Sequence, residues 1–131
     1  MKPKIINLPK IEDTRGNLTF IEELSHIPFE IKRVFWIYDV PGGQVRGGHA
    51  YKEQKEFIVS LSGSLDIEVS NEDKTEVLHL NRSYYGLYIP NLYWRQMKNF
   101  STNAVILVLS STAYDEIDYI RDFNEYILYK S

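Results

Sequence analysis

The stretch Arg46-Gly47-Gly48-His49-Ala50-Tyr51-Lys52, with the apolar run Phe57-Ile58-Val59-Ser60-Leu61 shortly after it, decides how this chain is read. A turn, Pro41-Gly42-Gly43, precedes it. Side chains alternate between the faces of a strand, so His49 and Tyr51 point the same way. An imidazole takes a proton near neutral pH and a phenol gives one. The pair is therefore expected to face a small-molecule pocket inside a β-barrel.

Working outward, the same extended pattern recurs on both sides. Residues 4–8, 18–22 and 31–38 read as strands, separated by the turn Asp13-Thr14-Arg15-Gly16-Asn17 and the break Ile27-Pro28-Phe29. In the third of these, Arg33 and Phe35 share one face, and Val34 and Trp36 the other. Beyond the central stretch, residues 65–69 alternate strictly and read as a half-buried strand, and 75–80 pair back across a polar tip. Residues 85–89, 92–97 and 104–109 follow, the last almost wholly apolar and so expected inside a sheet. About ten short strands with turn signals between them predict an all-β double-sheet or barrel fold. Toward the end, Ile117, Ile120, Phe123, Ile127 and Leu128 read as a small C-terminal helical segment, packed against the barrel mouth or its outer wall.

The bulk numbers narrow the function. A chain of 131 residues, 44% hydrophobic, fits one domain, 1–131, with one real core. The net charge of −3 and the lack of a basic run argue against a nucleic-acid partner. With no cysteine there are neither disulfides nor thiolate metal sites. The N-terminal Met1-Lys2-Pro3-Lys4 lacks a following apolar core, and no apolar run approaches the ~20 residues of a membrane span, so a cytoplasmic location off the membrane is expected. Ten tyrosines and two tryptophans suit pleated surfaces and also a pocket that stacks a planar ring.

The spacing Gly43, His49, Tyr51, Glu56, Gly63 resembles the first sequence motif of the cupin superfamily, whose fold is a double-stranded β-helix or jelly-roll barrel. A weaker second motif is echoed in Gly86, Pro90, Arg95 and Asn99. A cupin metal site usually takes three histidines and a carboxylate. Tyr51 stands at the second histidine and Arg95 at the third, bringing a fixed positive charge to where a cation would sit. No metal and no cofactor are expected. His26 and His79 read as ordinary surface histidines.

Within the cupins the chain resembles the sugar-nucleotide 3,4-ketoisomerases acting on dTDP-4-dehydro-6-deoxyglucose, over nearly its whole length. The matching pieces are Asp13-Thr14-Arg15-Gly16, Ile27-Pro28-Phe29-Glu30-Ile31-Lys32-Arg33-Val34, the central stretch from Arg46 to Lys52, Gly86-Leu87-Tyr88, Trp94-Arg95-Gln96-Met97 and Tyr114-Asp115-Glu116-Ile117-Asp118-Tyr119-Ile120-Arg121. The resemblance implies a metal-free homodimer that feeds synthesis of 3-amino-3,6-dideoxy sugars for surface glycans. One departure stands out, because the family carries histidine at both inward positions of the central stretch and this chain has Tyr51 at the second. Arginine at position 95 resembles the gluco-type (quinovose) enzymes, and arginine at position 15 the galacto-type (fucose) enzymes.

Moving a ketone from C4 to C3 requires loss of a proton from C3, an enediol, and a proton delivered to C4. His49, with an ordinary pKa of ~6.5, is the natural base. Tyr51 or Arg95 can stabilise the developing oxyanion. Arg33 and Arg46 match diphosphate oxygens in bidentate geometry, or else are strand-end charges. Glu56 orients His49, binds a sugar hydroxyl or forms a wall salt bridge. Trp94 or Trp36 stacks on the substrate or packs in the core. Lys52 sits near the pocket rim, and Asp115, Glu116 and Asp118 read as caps. Two rival readings remain open: a cupin 3,5-epimerase on the same substrate, which also pairs histidine with tyrosine, and a non-catalytic sugar-nucleotide binder.

Overall fold

The strands close into two facing five-stranded sheets, with all of residues 1–131 described in the structure, a computed structural model. In chain order they are β1 (Lys4–Asn7), β2 (Lys10–Ile11), β3 (Leu18–Thr19), β4 (Arg33–Ile37), β5 (Arg46–Tyr51), β6 (Glu56–Ser62), β7 (Leu65–Ser70), β8 (Thr75–Leu80), β9 (Tyr85–Ile89), β10 (Trp94–Lys98), β11 (Val105–Ser110) and β12 (Tyr119–Ile120). One sheet runs β1-β9-β6-β11-β4 and the other β12-β5-β10-β7-β8, all neighbours antiparallel. This is the cupin jelly roll.

The strand sequences explain which face goes where. β7 alternates Leu65, Ile67 and Val69 inward with Asp66 and Glu68 outward, the period-two pattern of a sheet wet on one side. Its inward residues join Ile58, Leu80, Leu87, Met97, Ile106 and Val108 in the barrel core. β6 breaks the alternation: Glu56 through Ser60 are all buried. Its outer residues Phe57 and Val59 are covered by Leu8, Ile27 and Phe29 of the N-terminal segment, which makes a second apolar layer on that sheet. The apolar strand β11 lies between β6 and β4, as its composition predicts.

The largest departures from the sequence reading lie at two places. Residues 18–22 yield only the two-residue strand β3, because the chain then wraps over the outer face of the first sheet to bury Ile27 and Phe29. At the other end, Ile117 lies in a 3-10 turn (Glu116–Asp118) and is 79% exposed, while Ile120 belongs to β12. The helix proper, α1, is Phe123–Lys130, capped by Asp122. It packs on the outer wall of the second sheet, with Tyr126 fully buried against Ala50, Ile120 and Trp94. The Tyr126 hydroxyl donates to the Leu92 carbonyl at 2.9 Å, and burial lifts its pKa to about 12. No helix is long and apolar enough to cross a membrane.

Candidate active site

The inner face of β5 carries the chemistry, and a β-bulge aims it. Arg95 of β10 pairs with His49, and Met97 pairs with Arg46, so Gly47 and Gly48 together oppose Gln96 alone. Gly47 sits at φ +70°, the left-handed conformation that a glycine adopts without strain at the first position of such a bulge. A residue directly across a ladder shares its partner's face, and Arg95 and Met97 both point inward. The extra residue therefore lets Arg46 and His49, three apart, line the same cavity. Gly47 also admits its neighbour closely. Its carbonyl accepts from Arg95 Nη1 at 2.9 Å, and a methyl group added at Gly47 would collide with that same Nη1.

His49 and Tyr51 lie side by side, ring centroids 4.7 Å apart and edge-on, both nearly buried. His49 Nδ1 is buried without a hydrogen-bond partner. Desolvation, then the charges of Arg95 and Arg121, lower the His49 pKa from 6.5 to about 2, so the ring is a neutral imidazole at physiological pH. Burial, reinforced by Glu56 and opposed by Arg95, pushes the Tyr51 phenol well above its ordinary value, so it is a donor and not a phenolate. Beneath them Arg95 and Glu56 form a buried ion pair, with Nη2 to Oε1 at 2.8 Å and Nε to Oε2 at 3.2 Å. Burial alone would weaken the guanidinium's hold on its proton, but Glu56 more than offsets this, and its pKa is raised. The result is a fixed cation beside a neutral base.

These groups open onto a cavity of about 470 Å³, a size suited to a small-molecule ligand, lined also by Phe35, Trp36, Arg46, Tyr119 and Arg121. A larger cavity of about 680 Å³ lies on the far side of the first sheet, under the β2–β3 hairpin. Its lining, which includes Leu8, Phe20, Val59 and Tyr84, contains neither histidine nor carboxylate, and its one lysine, Lys10, is paired with Glu12 at 3.2 Å.

Of the residues singled out from sequence, His49, Tyr51, Arg46 and Arg95 line the cavity, as does Trp36. Glu56 is committed to Arg95, which is the wall salt bridge and leaves no carboxylate for His49 or a sugar hydroxyl. Trp94 faces the opposite way, packed on Phe123 and Tyr126 of α1 at 5.4 and 5.9 Å, because it neighbours the inward Arg95 on an alternating strand. Arg15 is exposed and paired with Asp13 at 2.7 Å in the β2–β3 turn, outside this chain's cavity. Arg33 stays behind Phe35, donating to Gln54 at 3.1 Å, and Lys52 lies over the Tyr129 ring near α1. Asp115 caps the 3-10 turn, and Asp118 accepts from the backbone N–H groups of Glu53 and Gln54. His26 and His79 are engaged locally, with Glu22 N–H and Asp66, away from the cavity.

Tyr119 and Arg121 are site residues that the sequence reading did not assign. They alternate around Ile120 in Tyr119-Ile120-Arg121, a period-two signal hidden inside a segment read as helical. Pairing of Tyr119 with Tyr51 across β12 and β5 brings the two phenols onto one face, 3.5 Å apart.

At the four positions of a cupin metal centre stand His49, Tyr51, Glu56 and Arg95. One imidazole, a protonated phenol, and a carboxylate already neutralised by a buried guanidinium do not make a donor set for a divalent cation. The fold and the site together define a cupin whose pocket sets a neutral imidazole beside a protonated phenol.

Comparison with known proteins gives the family. The model described as "FdtA: WxcM-like, C-terminal" matches residues 1–131. The TDP-4-oxo-6-deoxy-α-D-glucose-3,4-oxoisomerase of Aneurinibacillus thermoaerophilus is 40% identical over 129 residues, 98% of this chain and 93% of that protein. Among solved structures, the QdtA sugar 3,4-ketoisomerase of Thermoanaerobacterium thermosaccharolyticum in complex with TDP superposes with a TM-score of 0.95 at 40% identity, covering 98% of this chain and 93% of QdtA. The WlaRB TDP-quinovose 3,4-ketoisomerase of Campylobacter jejuni does so with a TM-score of 0.92 at 44% identity, covering 96% and 97%. The chain belongs to this family of sugar-nucleotide 3,4-ketoisomerases, and it is an isomerase.

Proposed function

We propose that the cavity binds TDP-4-keto-6-deoxyglucose and that His49 and Tyr51 carry its carbonyl from C4 to C3. The observation that carries this is a buried, neutral imidazole with an unpartnered nitrogen, edge-on to a protonated phenol, in a cavity ringed by guanidinium groups. His49 takes the C3 proton, and the C–H electron pair forms the C3–C4 double bond while the C4 carbonyl pair moves onto O4. Tyr51 gives its proton to O4 and takes one from O3. His49 then returns a proton to C4 as the C3 carbonyl forms, so both side chains end as they began. Arg95, held by Glu56 and Gly47, supplies a fixed positive charge for the enediolate oxygen without reorganising.

The basicity of His49 depends on the substrate. Two of the three causes that lower its pKa are the cations Arg95 and Arg121. A bound diphosphate brings negative charge against Arg46 and Arg121, offsets that field and strengthens the base once the sugar is in place. Arg95, and not Arg15, reaches the cavity within one chain. The whole chain acts as one domain, and as a homodimer through its sheet edges. The open edge strand β4, with Val34 and Trp36 exposed, supports this. The C3 ketone is the group on which a 3-amino sugar is built, the step expected next toward a surface glycan.

The test is NMR of the purified protein with TDP-4-keto-6-deoxyglucose in D2O. The carbonyl signal should move to C3, deuterium should enter at C4 of the product, and His49→Asn should abolish both. Deuterium at C5 with inversion would instead indicate an epimerase. Binding with no exchange at C3 would indicate a non-catalytic binder.

A further inference from the structure

We propose that Tyr119 is a positioning residue for this isomerisation: it holds the Tyr51 hydroxyl in register with the sugar, and is itself held by Arg121 anchored on Glu116. The inference rests on the reading of Tyr51 given above. Tyr51 makes one side-chain hydrogen bond within the protein, to the Tyr119 hydroxyl at 3.5 Å. Either phenol can donate in such a pair. Without substrate the Tyr51 hydroxyl donates to the Tyr119 oxygen; once the Tyr51 proton turns to O4, the Tyr119 hydroxyl donates back and stabilises the Tyr51 oxygen as its proton leaves. The separation is long, as such contacts often are before substrate closes the site.

Three features make Tyr119 more than a packed aromatic. Strand pairing opposite Tyr51 fixes its direction, and its ring lies 4.7 Å from Tyr51 and 5.0 Å from His49, touching both proton-handling groups. It is half-buried at the cavity wall, not in the core. The Arg121 guanidinium lies 4.2 Å from its ring centroid, where cation–π attraction holds the ring in place. Arg121 is not loose. Its Nε and Nη2 donate to Glu116 at 2.7 and 3.0 Å, and Glu116 also accepts from the Tyr114 hydroxyl. A short strand and a surface ion pair thus fix the half-buried Tyr119 against the buried Tyr51.

The test measures kcat and KM separately for Tyr51→Phe, Tyr119→Phe and the double variant, with thermal unfolding to confirm that each folds. Tyr51→Phe should lower kcat about 100-fold, the low end for one acid–base group. Tyr119→Phe should lower kcat about 10-fold with KM within about twofold, and the double variant should be no slower than Tyr51→Phe, because the two phenols act as one unit. Glu116→Gln, at the surface, should lower kcat about threefold in the wild type and have no effect in Tyr119→Phe. An unchanged kcat in Tyr119→Phe, an equal loss in the Tyr51→Phe background, or a change confined to KM overturns the proposal. If Tyr51→Phe itself is fully active, the assignment of Tyr51 fails first, and the two failures are distinct.

Discussion

Acid should destabilise this protein through His49 in a way that one substitution removes. The unfolded chain protonates His49 below its ordinary value of 6.5, whereas the folded protein resists protonation until about pH 2, because the ring is desolvated and faces Arg95 and Arg121. Between those limits the unfolded state binds more protons, so stability falls as the pH falls. From pH 7 to pH 5 the penalty follows the protonated fraction of the unfolded imidazole and amounts to about 2 kcal/mol, at 1.36 kcal/mol per pKa unit. No large discount for solvent applies, since His49 is 7% exposed. Urea unfolding of the wild type and His49→Asn at both pH values isolates this contribution, because every other titrating group is common to the pair. The wild type should lose about 2 kcal/mol more than the variant over that interval. Parallel losses, or an imidazole NMR signal that titrates near pH 6.5 in the folded protein, would refute the account of a neutral, desolvated base.

Other outcomes follow from the same geometry. Glu56→Ala strands the Arg95 guanidinium in the barrel wall and should cost about 3–5 kcal/mol in chemical denaturation. Gly47→Ala places a methyl group against Arg95 Nη1 at a left-handed backbone position, so kcat/KM should fall at least about 10-fold, more than any change in unfolding midpoint would explain. Trp94→Phe trims the packing on α1 and should lower the thermal midpoint while leaving KM unchanged, in contrast to a role in stacking on the substrate.

What the sequence determined by itself was local and periodic. The alternation in residues 65–69, the apolar run at 104–109 and the turn signals between short strands required a two-sheet β fold, since period-two patterns bury one face only against another sheet. The separation of two between His49 and Tyr51 put both rings on one side whatever the rest of the chain did. The neutral Arg95–Glu56 wall was one of several options that spacing allowed. Tertiary structure chose it, because only the closed barrel shows that the two charges meet with no water to compete. Tertiary structure also placed Arg46 beside His49. Strict alternation would have sent it to the opposite face, and the bulge at Gly47 reverses that by one residue, a register event set by the partner strand. Tyr119 and Arg121 joined the site for the same reason: a two-residue strand has too short a period to be read along the chain, and becomes a strand only when β5 is there to pair with it.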